Sequence, residues 1–187
     1  AETSKNITAG ITYKPASNLS LSVDFYNVKV DDRVLFTGEI GFDGDTGSTN
    51  AVEQILLDNS ITSLKFFVNA VDTKTTGVDV VANYRNIELG NGKLNATLAA
   101  NFNETKITNG TKDPLSDDVI LDAPGLLGEN GYDIFNRKEQ SRITSSRPKT
   151  KFILGLNYEI GKFNMNLNNT YFGEVSWKHS NNGLKNN

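Results

Sequence analysis

The chain has 187 residues, 37% hydrophobic and 22% charged, with a formal net charge of −3. That length allows one large domain or two small ones, and that charge argues against a nucleic-acid binder, which needs clustered Lys and Arg. There is no cysteine, so disulfides and thiolate metal sites are unavailable; the one histidine, His179, sits in a polar tail, which argues against a Ser-His-Asp set, and no run approaches the roughly 18 apolar residues of a membrane helix.

Six runs alternate apolar and polar residues. Period two means strand, because successive Cβ atoms point to opposite faces. The first runs from about Asn6 to Tyr13, with Ile7, Ala9, Ile11 and Tyr13 on one face. Lys14 to Asn18 is a tight turn built on Pro15 and Asn18. The second strand begins at Leu19 and aligns Leu21, Val23 and Phe25. Near Tyr26 the apolar phase shifts to Val28 and Val30, which predicts a β-bulge there or departure of the strand from a bilayer.

A long loop follows, from about Gly38 to Ser63. It contains a helix over Ala51 to Asp58, capped by Thr49 or Asn50, with Val52, Ile55 and Leu56 on one side. The third strand spans about Leu64 to Arg85. Gly90-Asn91-Gly92 turns the chain into a fourth, Lys93 to about Ile107. A second long loop, about Thr108 to Arg147, holds a helical turn within Tyr132 to Gln140. The fifth strand, Lys149 to Ile160, and the sixth, Phe163 to about Val175, meet at Gly161-Lys162, a strong hairpin signal.

Three features raise a membrane barrel above a soluble sheet. The face opposite the apolar residues is mostly Asn, Thr, Ser, Asp and Gly, which is what a barrel places against a wet lumen. Connections alternate short, long, short, long, short, as in strands that meander across an outer membrane. Tyr13, Tyr84, Tyr158 and Phe163 fall beside short turns, where an interfacial girdle sits.

The chemistry-bearing candidates are few. Asp43 and Asp45 with Gly44 and Gly47 suggest a calcium loop, but Gln54 stands where the twelfth-position carboxylate belongs. Asp117, Asp118 and Asp122 read as a solvated cluster. Six Asn-x-Ser/Thr matches follow automatically from an Asn- and Thr-rich inward face. Asp24, Asp79, Arg85, Asn101 and Asn157 are expected to face the lumen. Phe42, Asp43, Asp45, Tyr132 and Phe135, on the long loops, are the expected substrate contacts. For the aromatics the competing reading, that they pack the loops together, is slightly favoured. No metal or cofactor is expected.

Several stretches carry a family resemblance: Gly10 to Pro15 with Leu19 to Arg33; Phe67 to Asp72 leading to Thr76-Gly77-Val78-Asp79; Ile134-Phe135-Asn136-Arg137; Arg147 to Lys151; and Tyr171 to Val175. In these the chain resembles the C-terminal part of the barrel of a TonB-dependent outer-membrane receptor, in Bacteroidota-like phrasing. The resemblance implies an all-β fold: six strands of an antiparallel up-and-down transmembrane β-barrel of the 22-stranded type, with two long outer loops. It further implies a Gram-negative outer-membrane location, a plug domain, the TonB energy-coupling protein and lipid as partners, and import of a scarce nutrient such as a siderophore, a vitamin, an oligosaccharide or a peptide. Residues 1–187 would then be a partial barrel domain, a piece of something longer, because the chain starts at Ala1 without a leader and no plug is present. The rivals are a soluble secreted β-sandwich that binds a ligand and a smaller complete outer-membrane barrel.

Overall fold

The computed structural model describes residues 1–41, 50–114, 118–121, 123, 125–130 and 132–179. Its elements are β1 (Thr3–Ala16), β2 (Leu19–Phe36), β3 (Ile40–Gly41), α1 (Ala51–Asp58), β4 (Ser63–Leu64), β5 (Phe67–Leu89), β6 (Gly92–Ile107), β7 (Thr111–Lys112), β8 (Val119–Ile120), α2 (Leu126–Glu129), α3 (Arg137–Thr144), β9 (Thr150–Ile160) and β10 (Phe163–Phe172). The six long strands form one antiparallel sheet in the order β1-β2-β5-β6-β9-β10. Each is paired with its predecessor among the long strands, which is the up-and-down arrangement the loop pattern predicts. The sheet is open, and β1 and β10 do not pair.

Register shows why the alternation matters. Ile11, Val23, Val80, Ala100, Phe152 and Tyr171 stand in one rung across all six strands. The next rung toward the short turns is Thr12, Ser22, Val81, Ala99, Ile153 and Thr170. One face is therefore almost wholly apolar and the other mixed and polar. Among the described residues nothing covers the apolar face: Ile11 is 70% exposed, Leu98 52% and Met165 65%. A sandwich would bury that face under a second sheet, and a smaller complete barrel would join β1 to β10. Among the described residues neither happens.

The buried residues lie elsewhere, at the end of the sheet carrying the long loops. Val71, Leu121 and Phe135 form the core cluster, with Leu35, Ala70, Ile107, Val119 and Ile143 packed on it. Ile40, Val52, Leu56 and Ile134 are also buried in this loop layer. Gly38 N donates to Ile134 O (2.9 Å), so the two loops are joined backbone to backbone.

Local chemistry explains the helices. Asn50, rather than Thr49, caps α1: its side chain accepts from Glu53 N (2.9 Å), and Glu53 Oε2 accepts from Asn50 N (3.0 Å). This reciprocal box satisfies two amides that the first turn leaves free. α3 starts later than the expected helical turn within Tyr132 to Gln140. Asn136 accepts from Lys138 N (3.1 Å) and Glu139 N (3.3 Å), so the helix begins at Arg137 and runs on to Thr144.

One expectation in β2 needs correction. The pairing of β2 is unbroken with β1 from Leu21 through Asp31 and with β5 from Leu19 through Val30, so no bulge accompanies the apolar shift at Tyr26. The irregularity falls at Asp32 and Arg33, where Asp32 takes φ +55°. Val28 and Val30 keep the parity of Tyr26 and stand on the polar face near the loop layer.

Candidate functional site

Register gathers the polar side chains of distant segments onto one face. Gly10, Asp24, Asp79, Asn101 and Lys151 share a rung. Asn101 Nδ2 donates to Asp79 Oδ1 (2.6 Å) and to the Tyr26 hydroxyl (3.1 Å), while Asn103 Nδ2 donates to Asn101 Oδ1 (2.6 Å). Two glycines make this packing possible. A Cβ on Gly10 would collide with the Asp24 carboxylate, and one on Gly77 would enter the Tyr26 ring. Small residues opposite large ones let the side chains lie along the wall.

Nearer the short turns the network is a ladder of asparagines. Asn157 Nδ2 donates to Asn166 Oδ1 (2.7 Å) and Asn164 Oδ1 (2.9 Å), Asn95 Nδ2 donates to Asn157 Oδ1 (3.3 Å), and Asn164 Nδ2 donates to Glu159 Oε1 (3.2 Å). The Thr97 hydroxyl donates to Asn83 Oδ1 (2.8 Å). Asn95, Asn157, Asn164 and Asn166 each both donate and accept, so neighbouring strands are tied without ion pairs. Arg85 follows Asn83 in parity but lies exposed at the short-turn end, where its backbone N donates to Asn18 O (2.8 Å). Asp24, Asp79, Arg85, Asn101 and Asn157 thus stand on one face of one sheet, at several heights along it.

Where this face meets the loop layer, a cavity of about 200 Å³ is lined by Tyr26, Arg33, Thr75, Asn103, Thr105, Ile143, Thr144, Arg147 and Lys149. Three cations and four hydroxyls converge there. Arg33 Nη1 is braced by the Thr73 hydroxyl at 3.3 Å. A second cavity of about 590 Å³ lies beside it and includes Glu104, Asn109, Gln140, Ser141, Lys149 and Lys178.

The expected loop contacts divide. Phe42, Asp43 and Asp45 lie outside the described residues, as do Asp117 and Asp122. The Tyr132 hydroxyl donates to Gly41 O (3.4 Å) and accepts from Asn50 Nδ2 (3.3 Å), so this residue links the two long loops. Phe135 is 1% exposed within the core cluster. In this arrangement its ring anchors the loop to the wall and is not open to a ligand.

Sequence reading missed the clamp at Asp118. Its carboxylate pairs with Lys178 Nζ (2.6 Å) and Arg137 Nε (3.3 Å) and is 9% exposed. It ties the second long loop to α3 and to the segment after β10. No local pattern marks it, because the partners are far apart in sequence. Asp133, also in this loop, is exposed as a residue, yet the protein around its carboxyl raises its pKa above the usual aspartate value. The hydrogen bond from Phe135 N opposes that shift, and the charge of Asp118 reinforces it.

Comparison with known proteins agrees with this architecture. The family model described as TonB dependent receptor-like, beta-barrel matches residues 1–187. No curated protein matches the sequence.

Proposed function

We propose that this chain, which belongs to the TonB-dependent receptor-like β-barrel family, is a length of barrel wall in an outer-membrane importer of a scarce nutrient. The carrying observation is the contrast between its faces. One is apolar and uncovered, as lipid contact requires; the other is polar, hydrogen-bonded from strand to strand, and ends in a cation-lined cavity beneath the long loops. Residues 1–187 form part of a barrel domain that further strands close, with a plug domain inside and the TonB protein supplying energy. Asp24, Asp79, Arg85, Asn101 and Asn157 face the lumen. The site for the nutrient lies at the loop end, where Tyr132 and the first long loop, with Phe42, Asp43 and Asp45, supply contacts. Arg33, Arg147 and Lys149 favour a substrate bearing anionic or oxygen-rich groups, a demand met within the siderophore, vitamin, oligosaccharide and peptide classes. The role is binding and transport, without covalent chemistry.

The test is uptake by cells carrying the intact receptor, with a panel of labelled nutrients from these classes. One of them should accumulate only when the receptor is present and the inner-membrane gradient is intact. Arg33→Gln with Arg147→Gln should weaken that uptake while leaving the receptor in the outer-membrane fraction. Recovery of the intact protein from the soluble periplasm would overturn the barrel reading itself.

A further inference from the structure

The irregularity in β2 decides where Arg33 points. Tyr26, Val28 and Val30 stand on the polar face, and counting on by twos would send position 33 to the outward one. Val30 pairs with Thr73 and Arg33 with Val71, so β2 uses one residue more than β5 between these pairs. Such an insertion re-aims the side chains that follow it. Asp32 takes φ +55° there, which is uncommon for a residue other than glycine. The distortion is held in place: Asp32 N donates to Asp72 Oδ1 (2.8 Å), and Asn69 Nδ2 donates to Asp32 O (2.9 Å). Arg33 is thereby turned inward. It is half-buried and lines the cavity of about 200 Å³ together with Arg147 and Lys149.

Among the described residues no carboxylate lines that cavity. Arg33 bonds the Thr73 hydroxyl (3.3 Å) and has no ion pair there, and Arg147 has neither an ion pair nor a side-chain hydrogen bond. Lys149 shares Glu104 (3.3 Å) with Lys106 (2.9 Å). Three cations thus face one space with part of a single counter-charge between them. The remaining polar groups offer both kinds of hydrogen bond. The Tyr26 hydroxyl accepts from Asn101 and keeps its own proton to donate. The Thr75 and Thr105 hydroxyls share one hydrogen bond (2.8 Å), which leaves one of their two protons free. Thr144 Oγ1 donates to Gln140 O and Asn103 Nδ2 to Asn101 Oδ1, so the oxygens of both residues remain as acceptors. An occupant must bring an oxyanion to the guanidiniums and, beside it, groups that donate as well as accept.

We propose that this cavity seats the terminal unit of an acidic oligosaccharide, with its carboxylate or sulfate ester on Arg33 and Arg147 and its ring hydroxyls on Tyr26, Asn103 and the threonines. A sugar hydroxyl donates and accepts at once, which matches this wall. A metal-bound catecholate brings acceptors only and would leave the Asn103 and Thr144 oxygens desolvated without partners. The cavity volume of about 200 Å³ falls below the roughly 300–1,000 Å³ of pockets that enclose a whole small ligand, so it takes one unit of a longer chain. The cavity of about 590 Å³ adjoins it, shares Thr105, Thr144 and Lys149, and adds Lys106, Lys112 and Lys178. Further acidic units continue into that second space. The proposal rests on the reading of this chain as importer wall and names the substrate class of that same site.

The intact receptor, purified in a non-ionic detergent, is titrated calorimetrically at one ionic strength with trisaccharides of galacturonate, glucuronate, mannuronate and a sulfated galactose. Each is set beside its neutral counterpart, the carboxylate reduced to hydroxymethyl or the sulfate removed. Triglutamate supplies the charges without the hydroxyls. At least one acidic trisaccharide should bind at least about tenfold tighter than its neutral counterpart and than triglutamate, the difference that one charge-assisted hydrogen bond makes; whether it is a uronate or the sulfated sugar identifies the anion. Arg33→Gln with Arg147→Gln should erase that preference, and Lys14→Gln with Lys162→Gln, charge-matched at the short turns, should keep it. Equal binding of every acidic sugar and its neutral counterpart by the wild type overturns the proposal, whether or not any variant folds. So does triglutamate binding as tightly as the best sugar, which would mark a peptide or general anion site, or a preference that survives the Gln pair. Uptake by cells of a neutral or peptide nutrient alone would overturn this assignment and leave the transport reading standing. Receptor that fractionates without the membrane would count against the transport reading itself, a separate result.

Discussion

The wall and the loop layer are held together by different means. In the wall, large apolar residues such as Ile11 and Leu98 keep more than half of their surface uncovered, and cohesion comes from backbone ladders and the asparagine network. In the loop layer the arrangement is that of a small water-soluble protein: Val71, Leu121 and Phe135 are buried, and helices begin at side-chain caps. One chain thus obeys two solvents. Where lipid surrounds it, apolar groups point out; where water surrounds it, they point in.

Phe135→Ala separates the two regions most strongly. Truncating a buried Phe costs about 3–5 kcal/mol, and the whole loss should fall on the loop layer. Limited proteolysis of the intact receptor should show faster cleavage in residues 108–149, with the barrel still resistant to unfolding in detergent. Leu98→Ala, a comparable truncation on the outward face, should cost far less, because lipid tails are as apolar as leucine and refill the space.

Charge on the wall is the next test. Leu98→Arg should cost about 2–4 kcal/mol if its site is near mid-bilayer, whereas Thr97→Arg faces the polar side and should be tolerated apart from its lost bond to Asn83. Heat-modifiable gel mobility of the outer-membrane fraction reads the folded share of each. Equal effects, or the reverse order, would invert the faces described above.

A smaller effect belongs to the loop layer alone. Asn136→Ala removes the acceptor shared by Lys138 N and Glu139 N and should cost about 1 kcal/mol. Faster amide exchange at the start of α3, with β6 and β9 unchanged, is the expected signature. The smallest effect is that of Asp133→Asn. Because the protein around its carboxyl raises its folded-state pKa, the folded protein holds this proton more tightly than the unfolded chain. Stability from this group is therefore full below the ordinary aspartate pKa and falls as pH rises from there through the raised value. Asn retains an acceptor for Phe135 N. The variant should lose that pH dependence and be no less stable at neutral pH, as thermal unfolding of the loop layer at pH 4 and pH 7 would show.

The amino-acid sequence by itself determined the six strands, their faces, the alternation of short and long connections, and α1 with its cap narrowed to Thr49 or Asn50. These are local matters: period two, Gly and Pro at turns, and an Asn three residues before a Glu act within a few residues. The polar character of Asp79, Asn101 and Asn157 was legible for the same reason, as was the choice of face for Leu98. Only the tertiary structure decided which of these groups meet. Alternation assigns a side chain to a face but names no partner; register does that, and register is set by turns and by a bulge at Asp32 that no apolar pattern marks. Burial of Phe135 depends on Val71 and Leu121, and the Asp118 clamp on Arg137 and Lys178. Each joins residues tens of positions apart, and the chain carries no short-range signal for them because their energy exists only once the sheet has formed.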